Sequence, residues 1–167
     1  INELSKLLSE NYESIEIEIS SNKIIFYIDQ LILISKLIDG NFPDYTRVIP
    51  KNNTNDLMIN RENLLSAVDR VSTIANEKSP SIKFKLLENL INLSSINSEN
   101  STATEDINAN YQGNEIEIGF NSRYVMDILD NLEGKEIKIS FNDNSNPIII
   151  QEKNESENVY VLMPMRV

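Results

Sequence analysis

Cysteine, histidine and tryptophan are all missing from these 167 residues, and glycine occurs only four times. Each shortage removes a kind of chemistry. Without cysteine there is no disulfide, no thiolate zinc site and no thiol nucleophile, a usage that fits a reducing cytoplasm. Without histidine the chain lacks the usual general base and the commonest metal ligand. The glycines stand at 40, 113, 119 and 134, and none sits in a GxxxxGK or GxGxxG pattern, so no phosphate-cradling loop is encoded. No apolar run approaches the ~20 residues that a membrane-spanning helix needs. No basic start leads into an apolar signal core. The chain opens at Ile1-Asn2-Glu3-Leu4, without Met, and we expect a piece of a longer chain.

What is present is an ordinary globular balance, 40% apolar and 25% charged, in a length that can bury a core without staples. Lys and Arg number 15 against 26 Asp and Glu, a net charge of −11. So acidic a chain is no general nucleic-acid binder; any contact with DNA has to come from a local patch or from geometry.

The pattern repeats three times. In the first copy Leu4, Leu7 and Leu8 keep helical spacing. Ile15, Ile17 and Ile19 then alternate with Glu16, Glu18 and Ser20, the period of a half-buried strand, and strands at 24–28 and 30–38 follow. The second copy opens with a strand at 56–59 and an N-cap at Asn60. Its helix turns Leu64, Leu65, Val68, Val71, Ile74 and Ala75 inward. Strands at 82–86 and 90–93 follow; residues 97–106 read as a loop or an edge strand, and 107–111 as the last strand. The third copy opens with a strand at 115–120, capped by Asn121. Tyr124, Val125, Ile128, Leu129 and Leu132 are expected to face the core, with Gly134 ending the helix. Strands follow at 137–141, 148–150 and 159–163, with a turn at 142–146 and Pro147 ahead of the second.

The unit is therefore strand, helix, three strands, and the first copy lacks its opening strand. Two joined copies give an α+β domain with sheets on one side and two helices on the other. The polar stretch 50–55 marks the boundary, giving domains at 1–49 and 50–167.

Carboxylates are the remaining candidates for chemistry. Glu16/Glu18 and Glu115/Glu117 sit at i, i+2, a spacing that suits a Mg²⁺ site or acid–base work; the solvated side of an amphipathic strand is the better reading, since Ile lies on the other side. Glu99, Glu105 and Asp106 read as a solvated loop. Arg61, Arg70 and Lys78 read as surface charge interspersed with Glu62, Asp69 and Glu77. No metal, cofactor or catalytic residue is expected. A hydrolase or transferase working through carboxylates or a Ser–Lys pair is the alternative; it requires a closed pocket holding convergent polar side chains. The run Tyr160-Val161-Leu162-Met163-Pro164-Met165-Arg166-Val167 is apolar to its end, and methionine surfaces adapt to varied partners. Because proline interrupts strand pairing, Met165 to Val167 are expected to lie across a surface rather than pair with a neighbour.

That run, together with Ser35-Lys36-Leu37-Ile38-Asp39-Gly40-Asn41-Phe42-Pro43-Asp44-Tyr45 through Pro50, Asn76-Glu77-Lys78, and Ile118-Gly119-Phe120-Asn121 with Tyr124, resembles the bacterial β sliding clamp family, the processivity subunit of DNA polymerase III. The resemblance covers the whole chain. It implies the DNA-clamp fold, with helices lining the hole of a head-to-tail homodimeric ring that encircles duplex DNA in the cytoplasm. The ring tethers DNA polymerase, the clamp loader and repair proteins without being an enzyme. Residues 1–49 would be the second half of the middle domain, and 50–167 the C-terminal domain. The resemblance also implies a partner-peptide pocket from Pro43, Arg47, Val48, Asn121, Tyr124, Pro147, Val161, Leu162, Met163, Pro164, Met165, Arg166 and Val167. Arg61, Arg70 and Lys78 would face DNA, and Thr73, Ile74, Glu99 and Glu105 would serve the subunit interface. Two departures stand out: Thr73 replaces a usually apolar residue, and Asn41 a frequently basic one.

Overall fold

The computed structural model describes residues 2–8, 14–76, 79–97, 101–154 and 158–166. The chain divides into two compact units, residues 1–43 and 44–167. The division falls ahead of the polar stretch because that stretch is tied into the second unit. Asp44 caps a turn of 3-10 helix, Tyr45–Arg47, and the Asn53 side-chain amide donates to the carbonyls of Ser140 (2.8 Å) and Pro147 (3.2 Å).

The first unit holds a short helix α1 (Asn2–Leu7) and an antiparallel sheet of β1 (Glu16–Ile19), β2 (Lys23–Ile28) and β3 (Leu31–Lys36). Directly opposed residues share a face. Ile17, Phe26 and Leu33 therefore form one apolar row, and Ile19 with Ile24 continues it on the same side. The acids Glu16 and Glu18 point the other way, where Glu18 accepts a hydrogen bond from the Tyr27 hydroxyl.

The second unit contains the two complete copies. One runs β4 (Asn55–Asn60), α2 (Arg61–Ser72), β5 (Ser81–Leu87), β6 (Leu90–Ile96) and β7 (Thr102–Asn108). The other runs β8 (Ile116–Asn121), α3 (Ser122–Asp130), β9 (Glu136–Phe141), β10 (Ile148–Glu152) and β11 (Tyr160–Leu162). Both helices start where the sequence puts an asparagine cap. The Asn60 side chain accepts from Asn63 N, and that of Asn121 from Arg123 N, satisfying amides that a first helical turn leaves unpaired.

Each copy lends its opening strand to the other. The sheets run β11-β10-β9-β4 and β7-β6-β5-β8, with β4 antiparallel to β9 and β8 antiparallel to β5. The helices pack against each other. Leu64, Ala67, Val68 and Val71 of α2 join Val125 and Leu129 of α3 in one core with Ile82, Phe84, Ile118, Phe120, Ile137 and Phe141. Full burial of a side chain such as Leu64 stabilises by roughly 1.5–3 kcal/mol.

A second pair of ties follows the same symmetry. Met58, two residues before the Asn60 cap, exchanges both backbone hydrogen bonds with Asn110 (3.0 and 2.8 Å). Gly119, two residues before the Asn121 cap, accepts one from Met165 N (2.9 Å). Met165 thus pairs with a neighbour, contrary to the expectation that it would only overlie a surface. Pro164 does interrupt the ladder, but the chain crosses to the edge of the other sheet and resumes.

Four further details differ from the sequence reading. The third strand of the second copy is β7, at 102–108 rather than 107–111; its half-buried alternate residues, Ala103, Glu105 and Ile107, include too little apolar bulk to announce a strand. Tyr124 is 59% exposed instead of facing the core, because Val125 and Leu129 already fill the buried side of a nine-residue helix. Helix α2 stops at Ser72, so Ile74 and Ala75 lie beyond it, half-buried. Finally, α3 stops at Asp130, with Asn131 as its cap, so Gly134 is not the helix-ending residue. Gly134 lies against Glu152: an added Cβ would meet that carboxylate at 2.8 Å, and Glu152 accepts from Glu133 N and Gly134 N.

Candidate functional site

An open cleft of about 640 Å³ lies on the second unit, lined by Arg47, Val48, Pro50, Lys51, Asn52, Asn53, Asn142, Asn146, Pro147, Val161 and Met163. That volume falls in the usual range for ligand sites, ~300–1,000 Å³.

Strand alternation builds the apolar wall. In β11, Leu162 sits opposite Ile148 with both in the core, 6% and 1% exposed. Val161 and Met163, one residue to either side of Leu162, therefore point outward. Pro147, leading into β10, adds to this wall, and Val48, 59% exposed, faces it from the 3-10 turn.

Two side-chain knots hold the rims. The Asp44 carboxylate accepts from Thr46 N (3.1 Å) and Thr46 Oγ1 (2.6 Å), and lies 3.2 Å from Arg47 Nε. These bonds, those to Thr46 first, hold its pKa below the ordinary value. On the opposite rim Asp143 accepts from the backbone amides of Ser145 and Asn146 and from both their side chains. Those donors, the backbone ones foremost, hold its carboxyl well below the usual carboxylate range. The turn 142–146 is thereby fixed as one wall.

Of the residues assigned to the pocket, Arg47, Val48, Pro147, Val161 and Met163 meet in this cleft. Leu162 is a core residue, Met165 is tied to Gly119, and the Asn121 oxygen is engaged in capping α3. Tyr124 and Arg166 are exposed, and Pro164 is half-buried. Pro43 belongs to the first unit, and Val167 lies outside the described residues. Pro50, Lys51, Asn52, Asn53, Asn142 and Asn146 also line it and are not among the residues assigned from the sequence. The one signal for the asparagines is their concentration in two stretches that read as turn and boundary.

The charged candidates are largely paired. Arg70 Nε and Nη2 both donate to the Glu105 carboxylate, which lowers the Glu105 pKa and raises that of Arg70. Arg61 donates from Nη1 to the Leu129 carbonyl (3.0 Å), lies 3.6 Å from Glu62, and has an 18% exposed side chain. Thr73 is exposed, its hydroxyl donating to the Asp69 carbonyl, and Ile74 is half-buried. Lys78 and Glu99 lie outside the described residues. Glu115 and Glu117 form ion pairs with Lys85 and Lys83, so they belong to a charged outer sheet surface. Among the described residues no three His, Cys, Asp or Glu side chains are grouped to hold a metal, and no helix is long and apolar enough to cross a membrane.

Comparison with known proteins bears on what such a cleft serves. The family model for the C-terminal domain of the DNA polymerase III beta subunit matches residues 46–166, and the one for its central domain matches residues 1–44. The chain belongs to the DNA polymerase III beta subunit family. It is 36% identical over 165 residues to the beta sliding clamp of Haemophilus influenzae, covering 99% of this chain and 45% of that protein. With the clamp of Caulobacter vibrioides it shares 37% over 167 residues, 100% and 45% of the two chains. The crystal structure of the DnaN sliding clamp from Bartonella birtlesii, bound to griselimycin, superposes with a TM-score of 0.89 at 42% identity, over 99% of this chain and 45% of that one. The chain thus spans about half the length of the relatives it matches, and the α+β clamp architecture is common to them.

Proposed function

We propose that this chain is part of a DNA sliding clamp, a non-enzymatic processivity factor working in the cytoplasm, and that its cleft docks short peptide segments of DNA polymerase, the clamp loader and repair proteins. In the complete protein a homodimeric ring would encircle duplex DNA, with Arg61, Arg70 and Lys78 toward the duplex and the region of Thr73, Ile74, Glu99 and Glu105 toward the second protomer. The observation that carries the reading is the outward pair Val161 and Met163, which with Pro147 form an apolar wall facing Val48 across an open cleft. Apolar side chains facing outward at an edge strand contribute little to a core, but they give a partner's Leu or Phe a place to be buried, worth roughly 1.5–3 kcal/mol each.

Enclosure, rather than affinity, then keeps the protein on DNA, in keeping with a net charge of −11. The hydrolase alternative requires an enclosed polar pocket; the cavity inside the core of the second unit is, among the described residues, lined by apolar side chains, including Leu57, Phe84, Phe120 and Phe141. Titration of a Leu- and Phe-bearing peptide into the protein, read by calorimetry, tests the docking role. Saturable binding lost in Met163→Asp supports it, and equal binding by wild type and variant overturns it.

A further inference from the structure

We propose that Lys51 selects the partner: it favours a peptide whose apolar anchor is flanked by an acidic residue, and so sets the charge preference of the cleft. The inference rests on the docking role above and goes beyond it in naming a specificity residue and the chemistry it reads.

The charges around the cleft single this residue out. Among the described residues the only ionisable ones lining the cleft are Arg47 and Lys51, both cationic and exposed. Arg47 is already neutralised locally by Asp44, 3.2 Å away. Asp143, in the turn that supplies Asn142 and Asn146, has its carboxylate filled by two backbone amides, a hydroxyl and two side-chain amides. Lys51, among the described residues, forms no ion pair. In a chain of net charge −11, an unneutralised cation at the mouth of an apolar cleft is a local exception to the protein's own field. A carboxylate on the incoming peptide gains from Lys51 and meets no acid in the lining, whereas a basic flank is repelled there. The contact is exposed, so its effect is modest, salt-sensitive and directional.

The test compares three peptides that share a Leu-Phe anchor and carry Glu, Gln or Lys beside it, on either flank, titrated into the wild-type protein, Lys51→Glu and Lys51→Gln. Lys153→Glu, at a position that does not line the cleft, controls for the change in net charge. The expected result is that on at least one flank the wild type binds the Glu peptide about two- to fivefold more tightly than the Lys peptide. That order should reverse in Lys51→Glu, vanish in Lys51→Gln, persist in Lys153→Glu, and fade in 1 M salt. If every peptide binds but the Glu-to-Lys ratio is the same in wild type and Lys51→Glu, Lys51 does not select, while the docking role stands. If no peptide binds any of the proteins, the docking role itself fails and the selectivity with it.

Discussion

The two copies in the second unit solve one folding problem with different outer surfaces. Asp106 of β7 faces Asn92 of β6, and at the matching place Val161 of β11 faces Ile149 of β10. In the first sheet that outward row is hydrogen-bonded and charged: Glu117 with Lys85, then Asn92 with Asp106 at 2.6 Å. In the other it begins polar, with Ser140 bonded to Asp56, and turns apolar at Ile149 and Val161. The core faces of the same strands are alike in both copies. Folding therefore accepts either surface, and the apolar one is where we propose that a partner docks.

The largest expected effects are common to both copies. Leu64→Ala in α2 and Leu129→Ala in α3, each removing a fully buried side chain, should both destabilise by about 2–5 kcal/mol in denaturant titrations. A large loss from one and a negligible loss from the other would mean that the copies do not share one core. Next comes the surface difference. Giving β11 the polar character of β7, by Val161→Asp with Met163→Asn, should weaken peptide binding at least tenfold, the loss of about 1.4 kcal/mol of apolar burial, while the thermal midpoint stays within a few degrees. An unchanged affinity would remove the functional meaning of the contrast.

Smaller effects sharpen it. Asn60→Ala and Asn121→Ala should each cost about 1 kcal/mol, since both caps hold one amide of the first turn; strongly unequal losses would show that the helices depend differently on their starts. The last effect belongs to the copy with the cleft. Asp143 is acidified in the folded state, so its hydrogen bonds stabilise fully above the unfolded pKa of about 4 and are lost progressively as pH falls below it. Asp143→Asn should therefore lower stability near neutrality and flatten the acid side of the stability–pH curve, the two proteins converging as pH falls; an identical acid limb in both proteins would contradict this.

Most of the fold was legible because alternation and helical spacing survive in single residues. Ile82-Phe84-Leu86 and Ile137-Ile139-Phe141 announce strands, and Asn60 and Asn121 announce helix starts. Residues 102–108 were obscure because an edge strand needs little apolar bulk on either face. The helix ends were misplaced because caps such as Asn131 carry no strong composition. In the site, Val161 and Met163 were readable as surplus hydrophobicity, but Leu162 between them was not separable, since only the register with Ile148 decides which face is the core. The asparagines of the rim were invisible as a group: they come from two stretches of sequence, 52–53 and 142–146, that only the fold brings together.

The exchange of opening strands also sets a timetable for the nascent chain. Met58 of β4 finds its place opposite Lys138 of β9, 80 positions later in the chain, whereas Phe84 of β5 waits only until Ile118. At a synthesis rate of about 5–20 residues per second, Leu57 and Ile59 emerge roughly 4–16 s before the strand that covers them has been made. The sheet holding the cleft is therefore the last to close, and until then an apolar strand with an open edge has to be kept from other chains.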